Sequence, residues 1–188
     1  MLDKVIRRCA MVFIGLAAMP DTALACIDIA PFEISDISSA DLVVAGELAA
    51  YAKVSHGGRR GLSDYAILTV RVQSTLKGEA PRMVQLTWDN STFSEPEMMV
   101  LGEKVIVAAV RPGGAGLPLR GPSATVLSAP RPDKMQVLQA PCAPAFILPY
   151  SAQSEKNLRA ILRGEPVGEF NFHTGGERLY KFDSSRWL

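Results

Sequence analysis

The clearest strand pattern in the sequence is Tyr65–Trp88, YAILTVRVQSTLKGEAPRMVQLTW, in which apolar and polar side chains alternate on both sides of one turn. Its first half places four apolar residues on one face: Ala66, Leu68, Val70 and Val72. A period of two residues is that of a β-strand with one buried face. Met83–Trp88 alternates in the same way, with Gln85 and Thr87 on the predicted outer face. The stretch therefore predicts two half-buried strands joined by the turn Lys77–Pro81.

Further strands are predicted on both sides of this pair. Ala40–Tyr51 opens with an apolar run and is predicted as a strand with either a bulge or a coil point at Gly46. Lys104–Val110 is continuously apolar, which predicts a strand covered on both faces. Two shorter strands are predicted at Ala124–Leu127 and Met135–Gln139.

Only Ser151–Arg163 has convincing helical periodicity, with an apolar stripe of Leu158, Ile161 and Leu162. Ser154 is predicted to cap this helix and Gly164 to end it. Five or six short strands, regular turns and one late helix predict a mainly β fold. The predicted architecture is a five- to six-stranded closed antiparallel OB-like Greek-key barrel with a helix after the last barrel strand.

The N-terminus predicts a secretory signal peptide over residues 1–25. A basic start precedes the apolar run Cys9–Met19, and small residues at Ala23 and Ala25 mark a cleavage site before Cys26. The run is too short to cross the hydrocarbon layer, about 30 Å thick, as a helix. We therefore expect an exported protein, periplasmic or secreted, with a barrel domain over residues 26–164. Residues 165–188 are predicted to form a C-terminal hairpin or a loosely held tail.

Cleavage changes the charge and the cysteine count. The full chain has 20 Lys and Arg, 19 Asp and Glu, and three Cys, whereas the chain from Cys26 onward is formally neutral and keeps Cys26 and Cys142. In an oxidising compartment such a pair predicts one disulfide. One alternative is that both thiols stay free. The other is that a lipid is attached to Cys26, which then cannot form a disulfide with Cys142. A chain with no net charge has no long-range electrostatic attraction to nucleic acid.

Catalytic and metal-binding motifs are missing from the sequence. His56 and His173 stand far apart without Cys or His at ligand spacing, so no intrinsic metal site is predicted. Asp89, Glu95 and Glu97 cluster, but without the spacing of a calcium loop. We therefore predict no cofactor and no enzymatic activity.

Several segments in order carry a family resemblance: Cys26, Ala40–Val44, Leu76–Gly78, Val100–Lys104 and Cys142–Tyr150. Over about Cys26–Arg163 the chain resembles the netrin-like (NTR) domain. Within that group it is similar to the tissue inhibitors of metalloproteinases (TIMPs) and their bacterial relatives. The segment after Cys142 is the most specific part of the resemblance.

The resemblance implies an OB-like barrel flanked by helices, without catalytic residues. In the inhibitors, the α-amine and carbonyl of the N-terminal Cys coordinate the zinc of the protease, and a neutral α-amine is a competent nitrogen ligand. Carried over, Cys26, Ile27 and Asp28 form a partner-contact ridge in which Cys26 ligates a partner's zinc. Asp28 stands where the inhibitors have a second Cys, and Cys142 matches the partner of that missing residue. The resemblance thus implies a shifted disulfide between Cys26 and Cys142.

These observations predict an exported, non-catalytic, NTR-like protein-binding module whose partner is unknown. The alternative is a metalloendopeptidase inhibitor that acts through the Cys26 α-amine. An enzyme of unrecognised type ranks lowest. No nucleic-acid partner and no transmembrane helix are expected.

Overall fold

The computed structural model describes residues 30, 32–54, 64–88, 99–114, 117–118 and 133–167. The elements in these ranges are a 3-10 helix Ile34–Ser39, the strands β1 Leu42–Val54, β2 Tyr65–Lys77, β3 Met83–Trp88, β4 Lys104–Val110, β5 Met135–Val137 and β6 Ile147–Pro149, and the helix α1 Ala152–Leu162. None of the helices described is long and apolar enough to cross a membrane.

Five strands close into a barrel in the order β1-β2-β3-β5-β4, with β1 pairing back to β4. The pair β3–β5 is parallel and the other pairs are antiparallel. A ring of five strands cannot alternate in direction all the way round, so one parallel pair is unavoidable. β6 is an extra strand, antiparallel to β4 beside Val105–Val107. The predicted OB-like closed barrel, followed by a helix, is confirmed, except that the barrel is mixed and not wholly antiparallel.

Two apolar layers meet at the barrel wall, and β4 belongs to both. Val105, Val107 and Ala109 point into the barrel interior. Ile106 and Ala108 point outward, where they pack in a second cluster with α1 and the 3-10 helix. The continuously apolar sequence of β4 is therefore buried on both faces, as predicted.

The register between β1 and β2 shifts next to Gly46, but the bulge is not at Gly46 itself. Ala45 pairs with Ser74 and Gly46 with Val72, so the extra residue is Gln73 on β2. The predicted bulge at Gly46 is therefore wrong, because it is the opposite strand that carries the extra residue. A side chain at Gly46 would collide with the carbonyl oxygen of Arg71 on β2, so only glycine allows this approach. β1 begins two residues later than predicted and continues to Val54, because its far end still pairs with β2.

The helix boundaries differ from the prediction in one respect. The N-cap is Ser151, whose Oγ accepts a hydrogen bond from the Ser154 N–H at 2.9 Å. Ser154 is buried one turn inside the helix, so its predicted role as the cap is wrong. The apolar stripe packs on the barrel wall and Gly164 follows the last turn with a φ of 74°, both as predicted.

Two side chains lie elsewhere than the strand patterns predict. Thr87, on the predicted outer face of β3, is fully buried instead of exposed, and its hydroxyl donates to the Met135 carbonyl of the neighbouring β5 at 3.4 Å. β5 ends at Val137, so Gln139 is not a strand residue. The predicted strand Ala124–Leu127 and most of the tail 165–188 lie outside the described residues.

Candidate functional site

A tight turn at Ala140–Ala143 forms a buried corner next to the barrel. The Ala143 N–H donates to the Ala140 carbonyl at 3.0 Å, which closes the turn. Pro141 occupies its second position, and Cys142 occupies its third with a φ of 62°. Proline followed by a residue of positive φ is the pattern of a type II turn, where glycine or asparagine normally stands third. Cysteine accepts this unfavourable conformation here while 2% exposed.

Cys142 is the only cysteine among the residues that the structure describes. The remaining cysteines of the chain are Cys9 and Cys26, and both lie outside the described residues. The nearest described part of the N-terminal segment is Ala30, whose N–H donates to the Cys142 carbonyl at 2.9 Å. The pairing of Cys26 with Cys142 stays a prediction.

The chain after Ala30 is held along the same surface. The Phe32 ring packs on the Phe146 ring with centroids 5.1 Å apart. Ile37, on the 3-10 helix, is fully buried in the cluster that also contains Leu158 of α1. The approach of the N-terminal segment to Cys142 is therefore fixed by a hydrogen bond, a ring contact and a buried aliphatic side chain.

Gln139 attaches this corner to the barrel core. The Trp88 Nε1–H donates to Gln139 Oε1 at 2.7 Å, and Gln139 Nε2 donates to the Ala143 carbonyl. Trp88 is 3% exposed and belongs to the core of the barrel. Sequence patterns did not single out Gln139, since its role depends on where β3 lies relative to the turn.

The other segments of the family resemblance have structural roles around β1. Gly78 has a φ of 73° and lies against the Asp41 carbonyl, while Lys77 Nζ donates to the Ser38 carbonyl at 2.9 Å. Gly102 has a φ of 85°, and its N–H donates to the Leu48 carbonyl at 2.9 Å. Both turns therefore hold the start and the middle of β1, and neither presents a reactive side chain.

A polar cluster joins α1 to β2 beside the end of β6. Glu155 Oε1 accepts from Ser74 Oγ at 3.0 Å, from Arg159 Nε at 3.1 Å and from the second Arg159 nitrogen at 2.7 Å. The hydrogen bond from Arg159 lowers the pKa of Glu155, and bonds from Ser74 and Tyr150 act in the same direction. The bond to Glu155 raises the pKa of Tyr150 in return. The cluster is a tether between helix and barrel.

An open depression of about 330 Å³ lies over this cluster, and we call it the α1 groove. It is lined by Tyr150, Ala152, Glu155, Lys156, Arg159 and Arg163. Three of the lining side chains are cations and one is an anion. This surface is not visible in the sequence pattern, because its tyrosine lies outside the helix and its charged residues share one face only once α1 forms.

The predicted ridge of Cys26, Ile27 and Asp28 lies outside the described residues, as do both histidines. The acidic cluster of Asp89, Glu95 and Glu97 also lies outside them. Within the described residues, no three His, Cys, Asp or Glu side chains are grouped to hold a metal ion. What the structure does bring together is Ala30 and Cys142, through the hydrogen bond from the Ala30 N–H to the Cys142 carbonyl.

Comparison of the chain with protein-family models and with curated proteins gives no match.

Proposed function

We propose that the protein is an exported, non-catalytic binding module of the netrin-like type, which presents its processed N-terminal segment to a protein partner. The observation that carries this proposal is the attachment of Ala30 to the Cys142 corner. A segment fixed to a closed barrel loses little conformational freedom on binding, which favours association with a partner. The resemblance supplies the kind of module, and the barrel is compatible with it.

In this proposal Cys26 is the first residue of the mature protein and pairs with Cys142. The disulfide would then hold Cys26, and the backbone hydrogen bond holds Ala30. Ile27 and Asp28 would lie between these two attachment points. Cys26, Ile27 and Asp28 form the partner-contact ridge.

The first experiment is mass spectrometry of the exported protein, followed by affinity capture from the envelope or secreted fraction. We expect a mature chain that begins at Cys26 without lipid and carries a mass two hydrogens below that of the reduced form. A partner captured by this protein should be lost when Asp28 is changed to Arg. A captured set that is identical for the Asp28→Arg variant and the native protein would contradict the ridge.

A second candidate function is inhibition of a zinc metalloendopeptidase through the Cys26 α-amine. It is favoured by the same anchor, since a metal-ligating amine must be held rigidly at the end of a supported segment. Asp28 brings a carboxylate toward the protease and weakens the fit where the mouth of that protease is acidic. The resemblance to the TIMPs therefore supports the module more strongly than it supports inhibition.

The inhibition test compares three forms of the mature protein against a panel of zinc endopeptidases: native, N-acetylated, and extended by one alanine. If the amine ligates zinc, inhibition by the native protein should be lost in both blocked forms. Equal inhibition by all three forms excludes the amine mechanism. Absence of inhibition by the native protein leaves the binding module as the sole proposal.

A further inference from the structure

The α1 groove has the composition of a protein-contact surface. Tyr150 forms one wall, and the small side chain of Ala152 leaves room at the start of the helix. Arg159 and Arg163 lie one turn apart on the same side. Tyrosine and arginine are enriched at protein interfaces, because each combines contact area with directed hydrogen bonds.

The arginines of the groove are each held by a carboxylate and still have N–H groups that can bind a ligand. Arg159 gives two nitrogens to Glu155, and Arg163 gives two nitrogens to Glu165 at 2.6 and 2.9 Å. A guanidinium has three nitrogens, so each keeps one with free N–H groups. Lys156 is exposed and has no partner among the described residues. A further cation, Lys104, lies 5.9 Å from the centre of the Tyr150 ring.

The surface does not have the character of a membrane-binding helix. Membrane-surface helices combine basic residues with an exposed apolar face. Among the described residues, the large apolar side chains that are exposed are Met83 and Leu101, on β3 and on the turn before β4. The apolar residues of α1 pack against the barrel wall. Charge complementarity therefore favours a soluble acidic ligand over a lipid surface.

We propose that the α1 groove binds an acidic segment of a partner protein, with carboxylate side chains seated against Lys156, Arg159 and Arg163. This inference rests on the proposed function as a protein-binding module and adds a second contact surface with a stated partner chemistry. Tyr150 supplies the apolar wall against which the backbone of that segment lies.

The test uses a fluorescein-labelled hexaglutamate peptide as the probe and measures fluorescence anisotropy on the mature protein. The variant Lys156→Gln/Arg163→Gln removes two cations from the groove and leaves Arg159 to hold Glu155. The control Arg111→Gln/Lys134→Gln removes two cations elsewhere, so the net charge of the two proteins is equal. Arg111 and Lys134 each lie near a carboxylate outside the groove, at Asp41 and Asp133.

We expect saturable binding that weakens about fivefold in the groove variant, since exposed charge contacts contribute modestly each. Binding should stay unchanged in the control and weaken between low ionic strength and about 0.15 M salt. Amide shifts of the native protein on adding peptide should be centred on α1, which tests the proposal even if the variant is unstable. Equal weakening in both variants, no saturable binding, or shifts centred elsewhere would overturn it.

Two further measurements are needed. The first distinguishes an acidic protein segment from an anionic lipid surface as the ligand, and the second distinguishes the groove proposal from the N-terminal ridge proposal. Vesicles containing phosphatidylserine should not compete with the peptide, and vesicle binding that depends on Lys156 and Arg163 would replace the acidic segment by a lipid surface. The mature protein extended by one alanine should bind the peptide as well as the native form. Evidence against partner binding by the N-terminal ridge would therefore leave the proposal for the groove intact, and the reverse also holds.

Discussion

At the scale of single residues, two glycines with nearly the same positive φ differ in how strongly their surroundings exclude a side chain. Gly78 and Gly113 have φ values of 73° and 72°. A side chain at Gly78 would collide with the Asp41 carbonyl, whereas a side chain at Gly113 would meet nothing within 4 Å. The left-handed conformation alone costs a residue other than glycine about 1–2 kcal/mol. Gly78 therefore carries a second constraint that Gly113 lacks.

Gly78→Ala should lower the free energy of unfolding by about 3 kcal/mol or more, because strain and collision with backbone add. Gly113→Ala is the matched control and should cost about 1 kcal/mol. Urea unfolding of the two variants measures both values. Equal costs would mean that the turn after β2 can move away from β1, and that the contact with Asp41 is not a constraint.

The hydrogen bonds of Gln139 can be separated in the same way. Gln139→Leu leaves the Trp88 N–H and the Ala143 carbonyl without their partner, which should cost about 1–3 kcal/mol. In a Trp88→Phe background the cost of Gln139→Leu should be smaller, since phenylalanine has no N–H to satisfy. The coupling energy of this double-mutant cycle is the measurement. A coupling energy of zero would show that Gln139 does not support the Cys142 corner through Trp88.

At the scale of elements, α1 is held to the barrel by an apolar stripe and by the Glu155 cluster, and only the second responds to pH. Because the pKa of Glu155 is lowered in the folded state, chiefly by the bond from Arg159, the charged form is the one that stabilises the fold. Its contribution is fully present above about pH 4.5, the ordinary value of the group, and is lost as the pH falls through the lowered pKa.

Glu155→Gln should therefore destabilise the protein by about 1 kcal/mol at pH 7, in the range of partly exposed ion pairs. The difference between wild type and variant should shrink as the pH falls below about 4.5. Thermal unfolding from pH 7 to pH 3 measures it, and Glu79→Gln, in the exposed turn after β2, is the control. A difference that stays constant with pH would contradict a role for the Glu155 charge.

At the scale of the whole molecule, a bridge between Cys26 and Cys142 would enclose five of the six described strands in one covalent loop. Closing so long a loop restricts the unfolded chain and stabilises the fold on the order of 3–5 kcal/mol in the chain-entropy description. Reduction, or Cys142→Ala, should lower the free energy of unfolding by that amount. Alkylation of the unreduced protein under denaturing conditions should label neither Cys26 nor Cys142, and labelling of both would exclude the bridge.

Much of the barrel follows from local rules, because the burial period of a strand is written in consecutive residues. The alternation over Tyr65–Trp88 and the apolar run of Lys104–Val110 correspond to β2, β3 and β4 with little change. Thr87 and Ser154 show where such rules end. Thr87 lies beside β5, a strand that is distant in the sequence. Both Ser151 and Ser154 are suitable capping residues, and only the observed start of α1 shows that Ser151 is the N-cap.

Short-range periodicity and turn residues are enough to predict the class of fold, the positions of β1 to β5 and the late helix, but not the three-residue strand β6. The folded structure determines which strands are neighbours, and with them the parallel pair β3–β5 and the corner at Cys142. It also assembles the α1 groove from Tyr150 and the helix. These features depend on contacts between residues far apart in the chain, which periodicity does not encode.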